Sequence, residues 1–125
     1  MFRAVYDQFD RFRSFFDRAD AYWFSRHGHT ITSIVFPEHG SEEQALERLR
    51  QTENAHPAIF TSSLALYEMV HRVGLSADYM IGHSLGEITA LTAADRLKMD
   101  DALLLVDQRG YAFAEAGLKD YGKMI

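Results

Sequence analysis

Ser84 lies between two glycines in Gly82-His83-Ser84-Leu85-Gly86-Glu87, a G-x-S-x-G pattern. A serine hydroxyl held clear of the backbone on a sharp turn can attack a carbonyl carbon, and this spacing is that of a nucleophile elbow. The glycines let the chain turn with no Cβ in the way, and Gly86 lets a helix start close behind the serine. His83 offers an imidazole next door, but a side chain adjacent to the serine on such a turn points elsewhere, so it does not read as the base. Farther along, Arg109 carries a planar fork able to hold a carboxylate in two hydrogen bonds. On residues alone it reads more readily as a solvated helix arginine.

The elbow needs a strand before it and a helix after it. Ala77-Asp78-Tyr79-Met80-Ile81 is a short, mostly apolar run with turn signals ahead of it, which predicts a buried strand. Leu85, Ile88, Leu91 and Thr92 then recur at helical spacing. At the start of the chain, Phe2, Val5, Tyr6, Phe9, Phe12, Phe16, Ala19 and Trp23 step at three and four, so one amphipathic helix is expected there. Its aromatic stripe either packs on the protein's own core or docks a partner. His27-Gly28-His29 ends that helix; with no third ligand at metal spacing, these histidines predict no metal site. Thr30 to Phe36 is β-prone, a short strand or an extended connector stopped by Pro37. Ser41 to Gln44 is a capping box for a helix that turns Leu46 and Leu49 inward. Thr52 to Pro57 reads as a loop, with a long helix from about Pro57 closed by Gly74. Met99 and Asp100 look like staple and N-cap of a last helix holding Leu103, Val106, Ala112 and Phe113.

The chain has 125 residues, enough for one domain with a modest core. Net charge is -5 with no basic block, which disfavours nucleic acid. The lack of cysteine excludes disulfides and thiol catalysis and fits a reducing compartment. No run has the length of a signal peptide or approaches the ~20 apolar residues of a membrane span. A cytoplasmic protein is expected.

From Thr52 to the end, the chain resembles the malonyl-CoA:acyl-carrier-protein transacylases and the acyltransferase domains of polyketide synthases. Gly82 to Glu87 matches their signature at every position. Thr52-Glu53-Asn54-Ala55-His56-Pro57-Ala58 is similar to their T-x-N-A-Q-P-A stretch, with His56 where glutamine is usual. Asp101 to Gly110 resembles the helix that carries their arginine, and Gly122-Lys123-Met124 the start of a following strand. The match is weaker over Phe2 to Glu38.

The resemblance implies roles. Ser84 is the nucleophile that takes an acyl group from coenzyme A and yields it to a carrier-protein thiol, a ping-pong sequence through a serine ester. The Leu85 N–H supplies part of an oxyanion hole. Arg109 holds the free carboxylate of a malonyl-type group, and His83 lies near the acyl pocket. No cofactor is implied, since coenzyme A enters as a thioester substrate. The implied fold is α/β: a helix-rich, partial, hydrolase-like acyltransferase core. Its small parallel sheet would use the Tyr79 run, the Ile34 run and a terminal strand at Met124. Residues 1–125 would form one domain, the N-terminal portion of the family's large subdomain, without its ferredoxin-like subdomain. The family's glycine-glutamine-glycine loop and downstream catalytic histidine have no counterpart, since no histidine follows His83. Three expectations follow: an acyltransferase with little turnover alone; a non-catalytic fragment that binds a second chain or another copy; and, least favoured, an esterase or thioesterase. The last needs a histidine after Ser84 to join Asp95, Asp100 or Asp107.

Overall fold

The computed structural model describes residues 2–38 and 42–116. Seven helices lie among them: α1 (Arg3–Gln8), α2 (Asp10–His27), α3 (Ile31–Val35), α4 (Glu42–Arg50), α5 (Thr52–Arg72), α6 (Leu85–Ala93) and α7 (Met99–Glu115). Helix α5 is the axis of the bundle, packing on α2, α3, α4, α6 and α7.

The expected parallel sheet is not there: no strand occurs among the described residues. Two local reasons account for the two testable runs. At the Ile34 run, the Thr30 hydroxyl accepts from the Ser33 N–H at 3.1 Å and caps a helix instead. Ile31 and Ile34, three apart, then share one buried face, and that burial outweighs their β preference. At the second run, Ala77 to Ile81 follows no regular structure and has no neighbouring strand to complete a ladder. Instead of being buried, Tyr79 and Ile81 stand 88% and 95% exposed. The terminal strand at Met124 and the capping box at Ser41 fall outside the described residues.

The N-terminal aromatic stripe packs inward. Phe12, Phe16, Ala19 and Trp23 are fully buried, and Tyr6, Phe16 and Phe36 form a cluster with ring centroids 4.7 to 5.5 Å apart. The single helix expected there is two. The chain breaks at Phe9, whose backbone is extended (φ -119°), so that α1 folds over α2. Arg13 then caps the end of α1, donating to the Tyr6 carbonyl at 3.0 Å. Gly28, at φ 71°, ends α2 in the left-handed conformation that suits glycine, its N–H bonded to the Phe24 carbonyl.

Helix α5 begins at Thr52, earlier than the proline rule suggests, and carries Pro57 inside its second turn. Pro57 gives up only one backbone N–H, while the turns it sits in are held from outside. Asn54, buried, donates from Nδ2 to the Arg48 carbonyl and to Gln51 Oε1, both at 3.0 Å. The N-cap position of α7 is Lys98, which makes no side-chain cap hydrogen bond, and not Asp100; Asp100 sits in the first turn and accepts from Arg18 of α2 at 2.9 Å. Leu46 on α4 is half exposed, and only Leu49 packs against the core.

Two contacts fix α7. Buried Asp107 accepts from His27 Nε2 at 2.9 Å and from the Tyr22 hydroxyl at 3.1 Å, so both carboxylate oxygens are satisfied. With its proton on Nε2, His27 accepts the Tyr111 hydroxyl at Nδ1, 3.1 Å away. Burial, and then the bond to Asp107, push the Tyr22 phenol up to about 12. On its α5 side, α7 passes over the first turn of α5 at Gly110, where an added Cβ would lie 3.0 Å from the Glu53 Cα. Two helix backbones meet there with no side chain between them. Replacing Gly110 by valine should therefore cost about 1–3 kcal/mol by overpacking. Urea unfolding measures it; a variant with unchanged midpoint and slope would show that the helices do not approach this closely.

Candidate active site

The turn before α6 has the backbone its sequence requires. Ser84 adopts φ 57° and ψ -113°, a left-handed conformation that a non-glycine residue holds only against strain. The turn is closed by Gly86 N–H to the His83 carbonyl at 2.9 Å and Glu87 N–H to the Ser84 carbonyl at 3.2 Å. It is so tight that a Cβ on Gly82 would lie 1.9 Å from the Gly86 carbonyl oxygen. The two glycines serve differently: Gly82 must lack a side chain because the chain passes over it, whereas a Cβ on Gly86 would meet open space.

Leu85 begins α6 with its side chain buried, which anchors the helix to the core and leaves Ser84 exposed at its head. As the first residue of the helix, Leu85 carries one of the N–H groups that have no carbonyl partner a turn earlier. Glu87 lies in that first turn, where a carboxylate is favourable against the helix dipole. His83 is exposed.

Arg109 comes to this turn from α7. Its Nη2 donates to the Ser84 Oγ at 2.8 Å, joining residues 25 apart in sequence. Phe113, one turn along α7, supports it: the guanidinium carbon lies 4.9 Å from the ring centroid, a cation–π contact. The same ring meets His56 of α5 edge to face at 5.8 Å. Burial first, and then the charge of Arg109, lower the His56 pKa below its ordinary 6.5, so the imidazole is neutral at pH 7. Two polar atoms of this cluster, His56 Nδ1 and Arg109 Nε, are shielded from solvent with no hydrogen-bond partner among the described residues.

Ser84, Leu85 and Arg109 thus converge at one place, with His83 on the rim. Sequence reasoning missed the floor of the site. Phe113 reads as an apolar core position in the periodicity, yet it is 40% exposed and lies under Arg109. The signal was present as an arginine–aromatic pair at i and i+4 on one helix. His56 was visible only as a departure from a glutamine. Beside the elbow, Ile59, Tyr67, Tyr79, Ile81 and Ala90 line a shallow apolar groove that runs to Gly82.

Two measurements test this geometry. The strain at Ser84 is worth about 1–3 kcal/mol, more than the ~0.4–1 kcal/mol that glycine costs through the unfolded chain. Ser84→Gly should accordingly be more stable than Ser84→Ala by about 1 kcal/mol, since both lose the Oγ and only glycine relaxes the turn. Equal stabilities would mean that the backbone is not held at positive φ. Because the Arg109 charge lowers the His56 pKa, Arg109→Met should raise it toward 6.5, read by NMR titration of the ring protons. A pKa that stays put or falls would separate the two side chains.

Residues 1–122 match the model of the acyl transferase domain family. The malonyl CoA-acyl carrier protein transacylase of Bacillus subtilis is 35% identical over 116 residues, covering 93% of this chain and 33% of that protein. The polyketide synthase GfsA of Streptomyces halstedii is 35% identical over 104 residues, 83% of this chain and 1% of its own length. Among solved structures, the acyl transferase domain of ZmaA superposes with a TM-score of 0.85 at 29% identity, over 92% of this chain and 26% of that one. The chain spans about a third or less of the length of these proteins. With the family model covering nearly every residue around a Ser84 elbow faced by Arg109, this chain belongs to the acyl transferase domain family.

Proposed function

We propose that this chain is the elbow-bearing, N-terminal portion of an acyltransferase domain, moving a malonyl-type acyl group from coenzyme A to an acyl-carrier-protein thiol. The observation that carries the reading is the 2.8 Å contact between Arg109 Nη2 and Ser84 Oγ on a strained turn. A permanently charged guanidinium able to pair with a carboxylate in two hydrogen bonds, next to a serine hydroxyl, supports that chemistry.

In the first half-reaction Ser84 Oγ attacks the thioester carbonyl. The carbonyl oxygen becomes an oxyanion facing the Leu85 N–H, and the C–S bond breaks with the serine proton passing to the departing thiolate. In the second, the carrier thiol attacks the serine ester, and the proton returns to Oγ as the acyl group leaves. Arg109 holds the distal carboxylate through both steps, while His83 lines the acyl side. A positioned base contributes about 10²–10⁴-fold to such transfers. None reaches Ser84 in the described structure: its one side-chain partner there is Arg109, a donor. Turnover by this chain alone is therefore slow.

A second reading draws support from the surface. Val73, Leu75, Tyr79 and Ile81 are each more than 60% exposed, and with Ile59 and Leu91 they make α5, α6 and the segment between them apolar toward solvent. That face suits a covering chain or a second copy, as a non-catalytic assembly module would need. Among the described residues no helix is long and apolar enough to cross a membrane.

Intact-protein mass spectrometry after incubation with malonyl-CoA decides between the two. The catalytic reading expects one malonyl-sized adduct on the wild type and none on Ser84→Ala. Adduct-free wild-type protein, folded by circular dichroism, would sink the catalytic reading and leave the assembly module, which sedimentation would reveal as a self-associated species.

A further inference from the structure

We infer that His27 is a positioning residue for Arg109: one imidazole ring binds two successive turns of α7 and so sets where the guanidinium reaches. The bearing of that reach on acyl transfer rests on the reading of Ser84 as the acyl nucleophile. The observation behind the inference is a double contact. His27 Nε2–H donates to Asp107 Oδ1 at 2.9 Å, while Nδ1 accepts the Tyr111 hydroxyl at 3.1 Å. Asp107 and Tyr111 are four residues apart, neighbours on one face of the helix, and Arg109 lies midway between them in sequence. Hydrogen bonds weaken steeply away from their preferred length and angle. Helix α7 therefore cannot slide or turn against α2 and keep both.

The ring is itself held in place. Buried Trp23 packs against it at 5.3 Å, and the Tyr111 ring stacks on it at 5.0 Å with 19° between the planes. Asp107 is buried, and its second oxygen takes the Tyr22 hydroxyl at 3.1 Å. Moving that carboxylate off its donors would leave a buried charge unpaired, which is costly. The other contacts of α7 do not set its register in this way. At Gly110 the bare backbones fix how closely α7 and α5 lie, yet no interlocking side chain opposes a slide. The Arg18–Asp100 pair at the start of α7 is exposed on both sides, and such pairs contribute little. Register thus falls to His27, and the 2.8 Å contact of Arg109 with Ser84 depends on it.

Three variants test the double contact. Tyr111→Phe removes one hydrogen bond and keeps the stacked ring, whereas His27→Phe removes both nitrogens. His27→Gln is the rescue, because one amide offers an N–H to Asp107 and a carbonyl oxygen to Tyr111. The first readout needs no acyl donor: the His56 pKa, which the Arg109 charge helps to hold down, followed by NMR titration of the ring protons. It should rise toward 6.5 in both phenylalanine variants and return to the wild-type value in His27→Gln. In an Arg109→Met background the same changes should add nothing further, because His27 acts through Arg109. Equal rises in the two backgrounds, or no rise in either, would mark a merely structural role and overturn the inference. Should His27→Phe misfold by circular dichroism, Tyr111→Phe decides, since it leaves Asp107 both of its donors. The second readout is the malonyl-to-acetyl ratio of Ser84 adducts from equal malonyl-CoA and acetyl-CoA, measured by intact mass. It should fall about fivefold in His27→Phe and recover in His27→Gln. An unmoved ratio would overturn the positioning role while leaving Ser84 acylation standing. No adduct of either kind on the wild type would overturn the acyltransferase reading instead, and the His56 titration would then judge the role of His27 by itself.

Discussion

The passage of α7 over the first turn of α5 is the contact on which the site depends. Gly110 rests against the Glu53 backbone because neither helix has a side chain in between. With α7 that close, Arg109 and Phe113, on either side of Gly110 in sequence, reach His56 on α5 and Ser84 ahead of α6. The opposite face of α7 is held by Asp107 and Tyr111, through the hydrogen bonds to Tyr22 and His27 on α2. The guanidinium is thus aimed by a helix gripped from two sides. A flexible four-bond side chain needs this, because its own rotamer entropy is worth up to about 2 kcal/mol against any fixed pose.

Strain at Ser84 and the packing around it belong to the same balance. Holding a serine at positive φ costs about 1–3 kcal/mol, and burying a leucine side chain recovers about 1.5–3 kcal/mol. Leu85, one residue on and nearly fully buried, is enough on that scale to keep the turn bent. Gly82 removes the steric part of the cost, since any side chain there would collide with the Gly86 carbonyl. A backbone so constrained presents the hydroxyl in one direction, and Arg109 meets it there.

How much of this was legible depended on which residues carried the signal. Ser84 and its glycines announced the turn because the pattern encodes a backbone conformation directly. The aromatic stripe from Phe12 to Trp23 announced a buried face because its period matches a helix. Thr30 to Val35 misled, since β-branched residues favour strands only where a pleated neighbour exists, and here a threonine cap and two buried isoleucines decide for a helix. Thr52 to Pro57 misled in the opposite way. A proline rule that holds for isolated helices gave way to Asn54, whose side chain ties the new turn to α4. The Arg109–Ser84 contact was beyond periodicity altogether, because it depends on how α6 and α7 cross, and only the family resemblance put both residues in one place.

The segment between α5 and α6 is where sequence and structure disagree most. Its composition is that of a buried strand, yet Tyr79 and Ile81 are among the most exposed residues described. Strand propensity is an interaction with neighbours, and a strand with none has no ladder and no cover. Covering Ile81 alone is worth about 1.5–3 kcal/mol on an area scale, and Tyr79 and Leu75 add comparable amounts. A patch of that size, continuous with the groove at Gly82, is a strong drive for association. The similar proteins are several times longer than this chain, so they have further residues available for such a cover. On the proposed reading, the surface that would complete the fold and the surface beside the nucleophile are one, and covering it would also shield Ser84 from water. On that reading acylation of Ser84 and the covering of Tyr79 and Ile81 would be coupled, because excluding water would strengthen a contact between Arg109 and an acyl carboxylate.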